Sequence, residues 1–448
     1  YPTHRTGEDW WYSVTPDPAT GGYIMSGFAT WVFMDINETG AGGCLDFEYT
    51  PALNLSRPIL SNETLSAKFA TVALYTKEGQ MVWCKNILQA TEGAISCKVD
   101  TQGDIIVTGW TNSTRDVDGN PVTMMFAGGV EYDIASSPSV CSNNKTKPFI
   151  AKLSPTGNVL WSHLYSPYEL GFNGMTNEEF VGLQSFGTDL VMANNGNYVM
   201  VGHQEYTYTP AFGGISRHNP FVIEVDQNGV LVRRTIIAIE DHSVRTTFIS
   251  KRGTGYLIGG YLTDDNDIIN IYNQSRAHGF CLALDANLVA EGASFGSVSK
   301  NATIFDGVST STQTVGLLWI LNNYNEPSND GLDGKTNVIW DAKMLANNNI
   351  ALVDIYDCNG CRGANANRGI GELRIYDTNG SSIIRIERAN NNGYVSAFDL
   401  KMGLEADDPN EITLITTVDE GSIDPLDPVF VESMNVISGN TSTTLSDF

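Results

Sequence analysis

Basic side chains are scarce in this 448-residue sequence: Lys and Arg total 26 against 51 Asp and Glu, a formal net charge of −25. A surface this acidic repels phosphate backbones and anionic headgroups, which argues against nucleic acid and membrane partners. Long apolar runs are missing too. The longest, around Val315 to Leu321, is strand-sized and far short of the ~18 residues that a membrane span requires. Cysteine is sparse, at seven, which suits an oxidising compartment but cannot build a disulfide scaffold. Signatures of chemistry are missing as well. His4, His163, His203, His218, His242 and His278 include no pair at i, i+2 or i, i+4, so no HExxH-like site exists. No Gly-rich phosphate cradle or S-x-D-x-G-x-x-W box is found.

What is present is a supply of short-strand and turn material. Hydrophobic residues make up 42% and charged residues only 17%, with 44 Gly, a balance that suits strands joined by polar turns. One unit recurs as Thr71 to Trp83 (TVALYTKEGQMVW), Phe149 to Trp161 (FIAKLSPTGNVLW) and Phe221 to Val232 (FVIEVDQNGVLV), with a weaker copy at Phe280 to Gly292. Phe149, Ala151 and Leu153 fall on one face of a strand, and Gly79, Gly157 and Gly229 share a turn position that favours positive φ. A second unit alternates with the first: Gly21 to Phe28, Gln102 to Trp110, Asn195 to His203 and Gly253 to Tyr261. Each reads as turn, strand, then a Gly (27, 109, 202, 260) where backbone approaches closely.

These alternating hairpins resemble the propeller repeats of secreted bacterial proteins, in which a FxAKLxxxGNxxW hairpin precedes a GxYxxxG hairpin. The resemblance is clear over residues 69–263 and weaker beyond. It implies an all-β fold, a β-propeller of four-stranded blades, and says little of activity. Counting GxYxxxG-type pairs favours seven blades, with six as the alternative if 338–387 is misphased. The C-terminal Pro428 to Phe448 reads as a first-type hairpin that closes the ring by supplying the first blade's missing innermost strand. The domain reading is an N-terminal tail over 1–14 and a single propeller over 15–448, with surface insertions at about 31–68 and 114–147.

Several site expectations follow. The chain starts at Tyr1 with no Met and no leader, which reads as a mature secreted protein, extracellular or at a cell surface. Nine Asn-x-Ser/Thr sequons offer glycosylation at Asn37, Asn54, Asn62, Asn112, Asn144, Asn273, Asn301, Asn379 and Asn440. Expected disulfides are Cys84–Cys97 across adjacent strands, Cys44–Cys141 between the insertions, and Cys358–Cys361 around an Asn-Gly turn, leaving Cys281 as a buried thiol. Asp116, Asp118 and Asn120 resemble the start of a calcium loop, although an Asp-Gly turn explains them equally well. Glu178-Glu179 and Asp264-Asp265 are the candidate carboxylate pairs, and neighbours on a strand face opposite ways, so their adjacency is not evidence. Trp10, Trp11, Trp110, Trp319 and Trp340 could stack on sugars or pack the core.

With catalytic motifs missing and polar insertions present, the leading expectation is an extracellular structural glycoprotein, a self-assembling subunit of a filament or surface layer. The alternatives are a secreted carbohydrate- or protein-binding propeller module and, behind it, a secreted glycoside hydrolase. No cofactor is expected apart from calcium.

Overall fold

In the computed structural model, the structure describes residues 10–32, 66–89, 93–111, 123–126, 130–133, 146–166, 184–208, 215–264, 277–320, 335–345, 348–358, 368–388, 395–396, 403–405, 411–417, 429–435 and 441–444. All regular elements among them are strands, so the chain is all-β, with a propeller-like repetition of antiparallel meanders. No helix among the described residues is long and apolar enough to cross a membrane.

The first sheet runs β1 (Trp10–Pro16), β2 (Tyr23–Val32), β3 (Ser66–Tyr75), β4 (Met81–Gln89) in chain order. The second holds β5 (Gly93–Val99), β6 (Ile105–Thr111), the short hairpin β7 (Thr123–Phe126) and β8 (Val130–Asp133), then β9 (Lys147–Leu153) and β10 (Val159–Tyr165). Its order is β5-β6-β9-β10-β7-β8. A nine-stranded sheet follows, made of β11 (Ser185–Met192), β12 (Tyr198–Tyr208), β13 (Ile215–Val225), β14 (Leu231–Ile239), β15 (His242–Arg252), β16 (Gly255–Asp264), β17 (Ala277–Leu284), β18 (Val298–Phe305) and β19 (Thr310–Ile320). Its order is β11-β12-β13-β14-β18-β19-β17-β16-β15. The fourth sheet comprises β20 (Lys335–Met344), β21 (Ile350–Cys358), β22 (Arg368–Tyr376) and β23 (Ser382–Arg388), with β24 (Val395–Ser396) beside β22. The last comprises β25 (Gly403–Glu405), β26 (Glu411–Thr417), β27 (Val429–Asn435) and β28 (Thr441–Thr444). The chain forms two compact units, one of Tyr1–Glu205 with Phe221–Arg234, the other of Tyr206–Pro220 with Thr235–Phe448.

The hairpins expected from the repeat are present, and their turns give some of the chain's acids a structural role. Asp100, Asp226, Asp285 and Asp377 each accept backbone N–H groups two and four residues on, through Oδ1, at 2.7–3.0 Å. Thr76 and Ser154 make weaker versions of the same turn. The carboxylate replaces a backbone acceptor in a chain reversal, so these acids close turns as well as meeting solvent.

First strands carry a second regularity. β1, β5, β11, β15 and β20 each break register at one point, a β-bulge opposite the end of the following strand. The residues facing the strand just before each bulge are Gly27, Gly109, Gly202, Gly260 and, in the fourth sheet, Asp354. A Cβ on Gly202 would lie 2.1 Å from Phe186 O, so the close backbone approach at that bulge requires the glycine, whereas the bulge facing Asp354 leaves room for a side chain.

The structure corrects three expectations. Residues 303–321, one of the GxYxxxG-type pairs behind the count of seven blades, belong to hairpin β18–β19, whose β19 pairs with β17. The turn at Asp285 is followed by a single bridge, Leu284 to Ala290, in place of a fourth strand, which leaves β17 an open edge for β19 to occupy. The strand exchange expected from the C-terminus is not used: β1 supplies the first sheet's own opening strand, and β25–β28 form a sheet of their own. The Cys84–Cys97 bridge does not form. β4 and β5 follow each other in sequence but lie in different sheets. Cys84 packs with Ala73, Trp11, Tyr75 and Met81, whereas Cys97 is a buried thiol with Sγ 3.7 Å from Ile24 O. Cys84 is disulfide-bonded, but not to Cys97. Cys281 is a buried free thiol, as expected.

In the second unit the core gathers Phe248, Leu257, Cys281, Ala283, Phe295, Leu318, Ile339, Ala342, Ile350, Leu352 and Tyr376. Each Leu, Ile or Phe among them contributes about 1.5–3 kcal/mol on burial.

Candidate functional site

Strand connectivity separates two ends of each meander. Tight turns join first to second strands (residues 17–22, 100–104, 193–197) and third to fourth strands (76–80, 154–158, 226–230). The long sequence segments 33–65, 112–145 and 265–276 all join second to third strands, which leave from the opposite end. A site served by loops therefore belongs at that second end.

The turn end of the first unit holds a closed ionic network around Lys152. Lys152 Nζ lies 3.1 Å from Asp100 Oδ2, 3.0 Å from Asp104 Oδ2 and 3.0 Å from the Tyr198 hydroxyl, which donates to Asp100 Oδ2 at 2.8 Å. Burial opposes ionisation of Asp100, but hydrogen bonds from Tyr198, Lys152 and the N–H groups of Gln102 and Asp104 outweigh it and hold the carboxyl below its ordinary value. Burial likewise works against the Lys152 ammonium, and its contacts with Tyr198, Asp104 and Asp100 prevail, raising it. Burial, then the neighbouring carboxylate, pushes Tyr198 up to about 12. Lys152 is already hydrogen-bonded to three oxygens inside the network, which marks it as structural. One repeat later Glu224 takes the place of Lys152, and its partners change to Arg233, at 2.8 Å, and the amides of Asn195 and Asn197.

The loop-bearing end of the same unit is different in kind. Trp110 closes β6, and its ring meets Phe186 of β11 edge-on at 5.5 Å; Phe186 stacks on His203 of β12 at 5.1 Å. Phe186 and His203 face each other across β11 and β12, as do Ser185 and Gln204 one step further out. The Ser185 N–H donates to Thr146 O at 3.0 Å, which brings in the start of β9, where Lys147 is 4% exposed and pairs with Thr111. Gln204 is 1% exposed, and its Oε1 has no hydrogen-bond partner; neither has Thr146 Oγ1. A buried amide carbonyl and a buried hydroxyl that can both donate and accept thus stand without partners beside three aromatic rings, polar groups that a bound ligand would satisfy.

The residues singled out from sequence fall as follows. Asn301 and Asn379 are exposed, but the Asn301 amide nitrogen, the atom a glycan would occupy, donates to Glu240 Oε2 at 3.0 Å. Asn37, Asn54, Asn62, Asn112, Asn144, Asn273 and Asn440 lie outside the described residues, as do Cys44, Cys141, Cys361, Asp116, Asp118, Asn120, Glu178, Glu179 and Asp265; the side chains of Cys358 and Asp264 do too. Among the described residues no group of three His, Cys, Asp or Glu could hold a metal ion. Of the tryptophans, Trp110 reaches the loop-bearing end of the first unit and Trp319 that of the second. Gln204 and Thr146 carried no signal in the sequence, because an unpartnered buried amide is visible only once its neighbours are placed.

No family model and no curated protein matches the sequence. Among solved structures, a B. megaterium levansucrase variant aligns at TM-score 0.35 and 7% identity, covering 80% of this chain and 83% of that one. Bacillus subtilis levansucrase aligns at TM-score 0.36 and 7% identity, covering 81% and 85%. A Synechocystis apocarotenoid oxygenase variant aligns at TM-score 0.34 and 8% identity, covering 99% and 82%. These matches are to enzymes, and on that finding the expectation of a filament or surface-layer subunit is corrected.

Proposed function

We propose that this chain is a secreted carbohydrate-binding module that takes its ligand at the loop-bearing end of the first unit. The observation that carries the reading is the pair of unpartnered buried polar groups, the Gln204 Oε1 acceptor and the Thr146 hydroxyl, beside the Trp110–Phe186–His203 rings. Saccharide hydroxyls both donate and accept, so they fit both groups, and the apolar face of a pyranose or furanose ring covers an indole. The same reading takes the meanders as six propeller repeats, each opened by a first-and-second strand pair, with β18–β19 as an inserted hairpin.

The test is a glycan array followed by calorimetric titration of the best neutral oligosaccharide. Trp110→Ala and Gln204→Leu are expected to weaken binding at least tenfold each, about 1.4 kcal/mol, while keeping the folded strand signal. Absence of any saccharide binding would overturn the reading. So would binding that survives both substitutions. Release of reducing sugar in the same samples would replace it with a glycoside hydrolase.

A further inference from the structure

The second unit has its own aromatic cluster at the loop-bearing end, and its chemistry differs from that of the first. Trp319, near the end of β19, meets His242 of β15 at 5.3 Å and His278 of β17 at 5.6 Å between ring centroids. Lys300 of β18 sets its Nζ 4.9 Å above the same indole. Register places these side chains on one sheet face: Trp319 pairs with Phe280, two residues from His278; His278 pairs with Leu262, which pairs with Val244, two residues from His242.

An indole N–H and an ammonium can only donate. Trp319 Nε1 is buried and has no hydrogen-bond partner, and among the described residues no carboxylate pairs with Lys300. Four buried or half-buried cations elsewhere do have carboxylate partners: Lys152 has Asp100 and Asp104, Arg233 has Glu224, Arg252 has Glu291 and Arg374 has Asp354. In a chain of net charge −25, an ammonium standing over an aromatic ring beside a buried, unused donor is a place left for an outside anion.

We propose that the face around Trp319 is a binding site for a carboxylate-bearing ligand, with Lys300 and Trp319 Nε1 as its donors. The site is independent of the carbohydrate reading at Trp110, which involves other residues. Lys300 supplies the charge, and the indole edge supplies a directed N–H that a neutral ligand would use far less well.

Indole N–H resonances of the full chain labelled with ¹⁵N-tryptophan test this, with D-glucuronate as probe and D-glucose as its neutral control. Trp319→Phe identifies the Trp319 signal by its loss. The expected result is a saturable shift of that signal with glucuronate in the millimolar range, and none with glucose. Lys300→Met, which keeps the stem over the ring, is expected to weaken the response at least tenfold while the other seven indole signals stay in place. No saturable shift, an equal shift with glucose, or an unchanged response in Lys300→Met would each overturn the proposal.

Discussion

The Trp161 indole N–H donates to Gln227 O at 3.0 Å, and one repeat earlier Trp83 makes the same bond to Pro155 O at 3.2 Å. In both cases the acceptor lies two residues before the turn glycine of the next meander, and that glycine sits on the tryptophan ring. A Cβ on Gly157 would approach Trp83 to 3.0 Å, and one on Gly229 would reach His163 at 2.6 Å and Trp161 at 2.9 Å. The Trp and Gly of the repeat are thus one device: the outer strand of one meander clasps the last turn of its successor.

Breaking the clasp separates its two parts. Trp161→Phe keeps an aromatic side chain but removes the donor, at an expected cost of about 0.5–1 kcal/mol for the bond, since it is solvent-exposed. Gly229→Ala introduces both a strained φ of 80° and the contact with His163, so it is expected to cost more, at least about 1–2 kcal/mol. Urea unfolding of the two variants checks the order. Equal midpoints would show that the turn relaxes away from the ring.

The Lys152 network sets a pH dependence. Asp100 holds its proton less tightly folded than unfolded, so the unfolded chain binds more protons near and below the ordinary Asp value. Its contribution is therefore complete above that value and fades as pH falls through the lower folded one. Lys152 and Tyr198 are raised in the folded chain, so theirs are complete below the ordinary values, about 10 for Tyr, and fade as pH climbs through the folded ones. Lys152→Met strands two carboxylates and is expected to cost about 3–5 kcal/mol at neutral pH. The same variant loses less than the parent on acidification, because protonation then relieves the stranded charge. Parallel acid-unfolding curves for parent and variant would contradict this.

Asp354 stands where the four preceding first-and-second strand pairs have glycine, and it is fully buried, with Oδ2 3.2 Å from Arg374 Nη2. Arg374 also donates to the Tyr376 hydroxyl at 3.3 Å. Removing one member leaves an uncompensated buried charge, so Asp354→Gly and Arg374→Leu are each expected to cost about 3–5 kcal/mol. Asp354→Gly with Arg374→Leu restores the glycine of the other repeats and removes both charges. That double variant is expected to recover most of the loss, and a strictly additive double-mutant cycle would refute the pairing.

Much of this architecture was legible from residues. Turn glycines at 79, 157 and 229 and alternating strands such as Phe149, Ala151 and Leu153 located the hairpins, because turn geometry and one-sided burial are local requirements. Trp110 and Trp319 were legible as candidates, though not their partners. Partnering between sheets was not legible. Leu288 holds the glycine position of its turn at φ 64°, and nothing local reveals that the strand after it is lost and that β19 takes the vacant edge. Cys84 and Cys97 looked like neighbours because their strands are consecutive, yet sheet boundaries fall between them. The unpartnered acceptor of Gln204 depends on β9, β11 and β12 meeting, a relation no short segment encodes.

His218 offers the last test, because its backbone and its ring report different things. Its N–H donates to Ser243 Oγ at 2.9 Å, which ties the start of β13 to β15. Burial, and then the Arg245 guanidinium, depresses the imidazole to about 3, so it stays neutral in the folded chain where an unfolded histidine would already be charged. The unfolded state therefore binds more protons between that value and the ordinary one of about 6.5, and stability falls as pH drops through this window. His218→Asn, which keeps the backbone bond and cannot titrate there, is expected to flatten the decline in melting temperature between about pH 6 and pH 4, above the range in which Asp100 contributes. The imidazole signals of the parent are expected to stay at their neutral positions over the same range in an NMR titration. A midpoint near 6 for that ring would show that it is solvated, and the slope of stability with pH would then have to come from other groups.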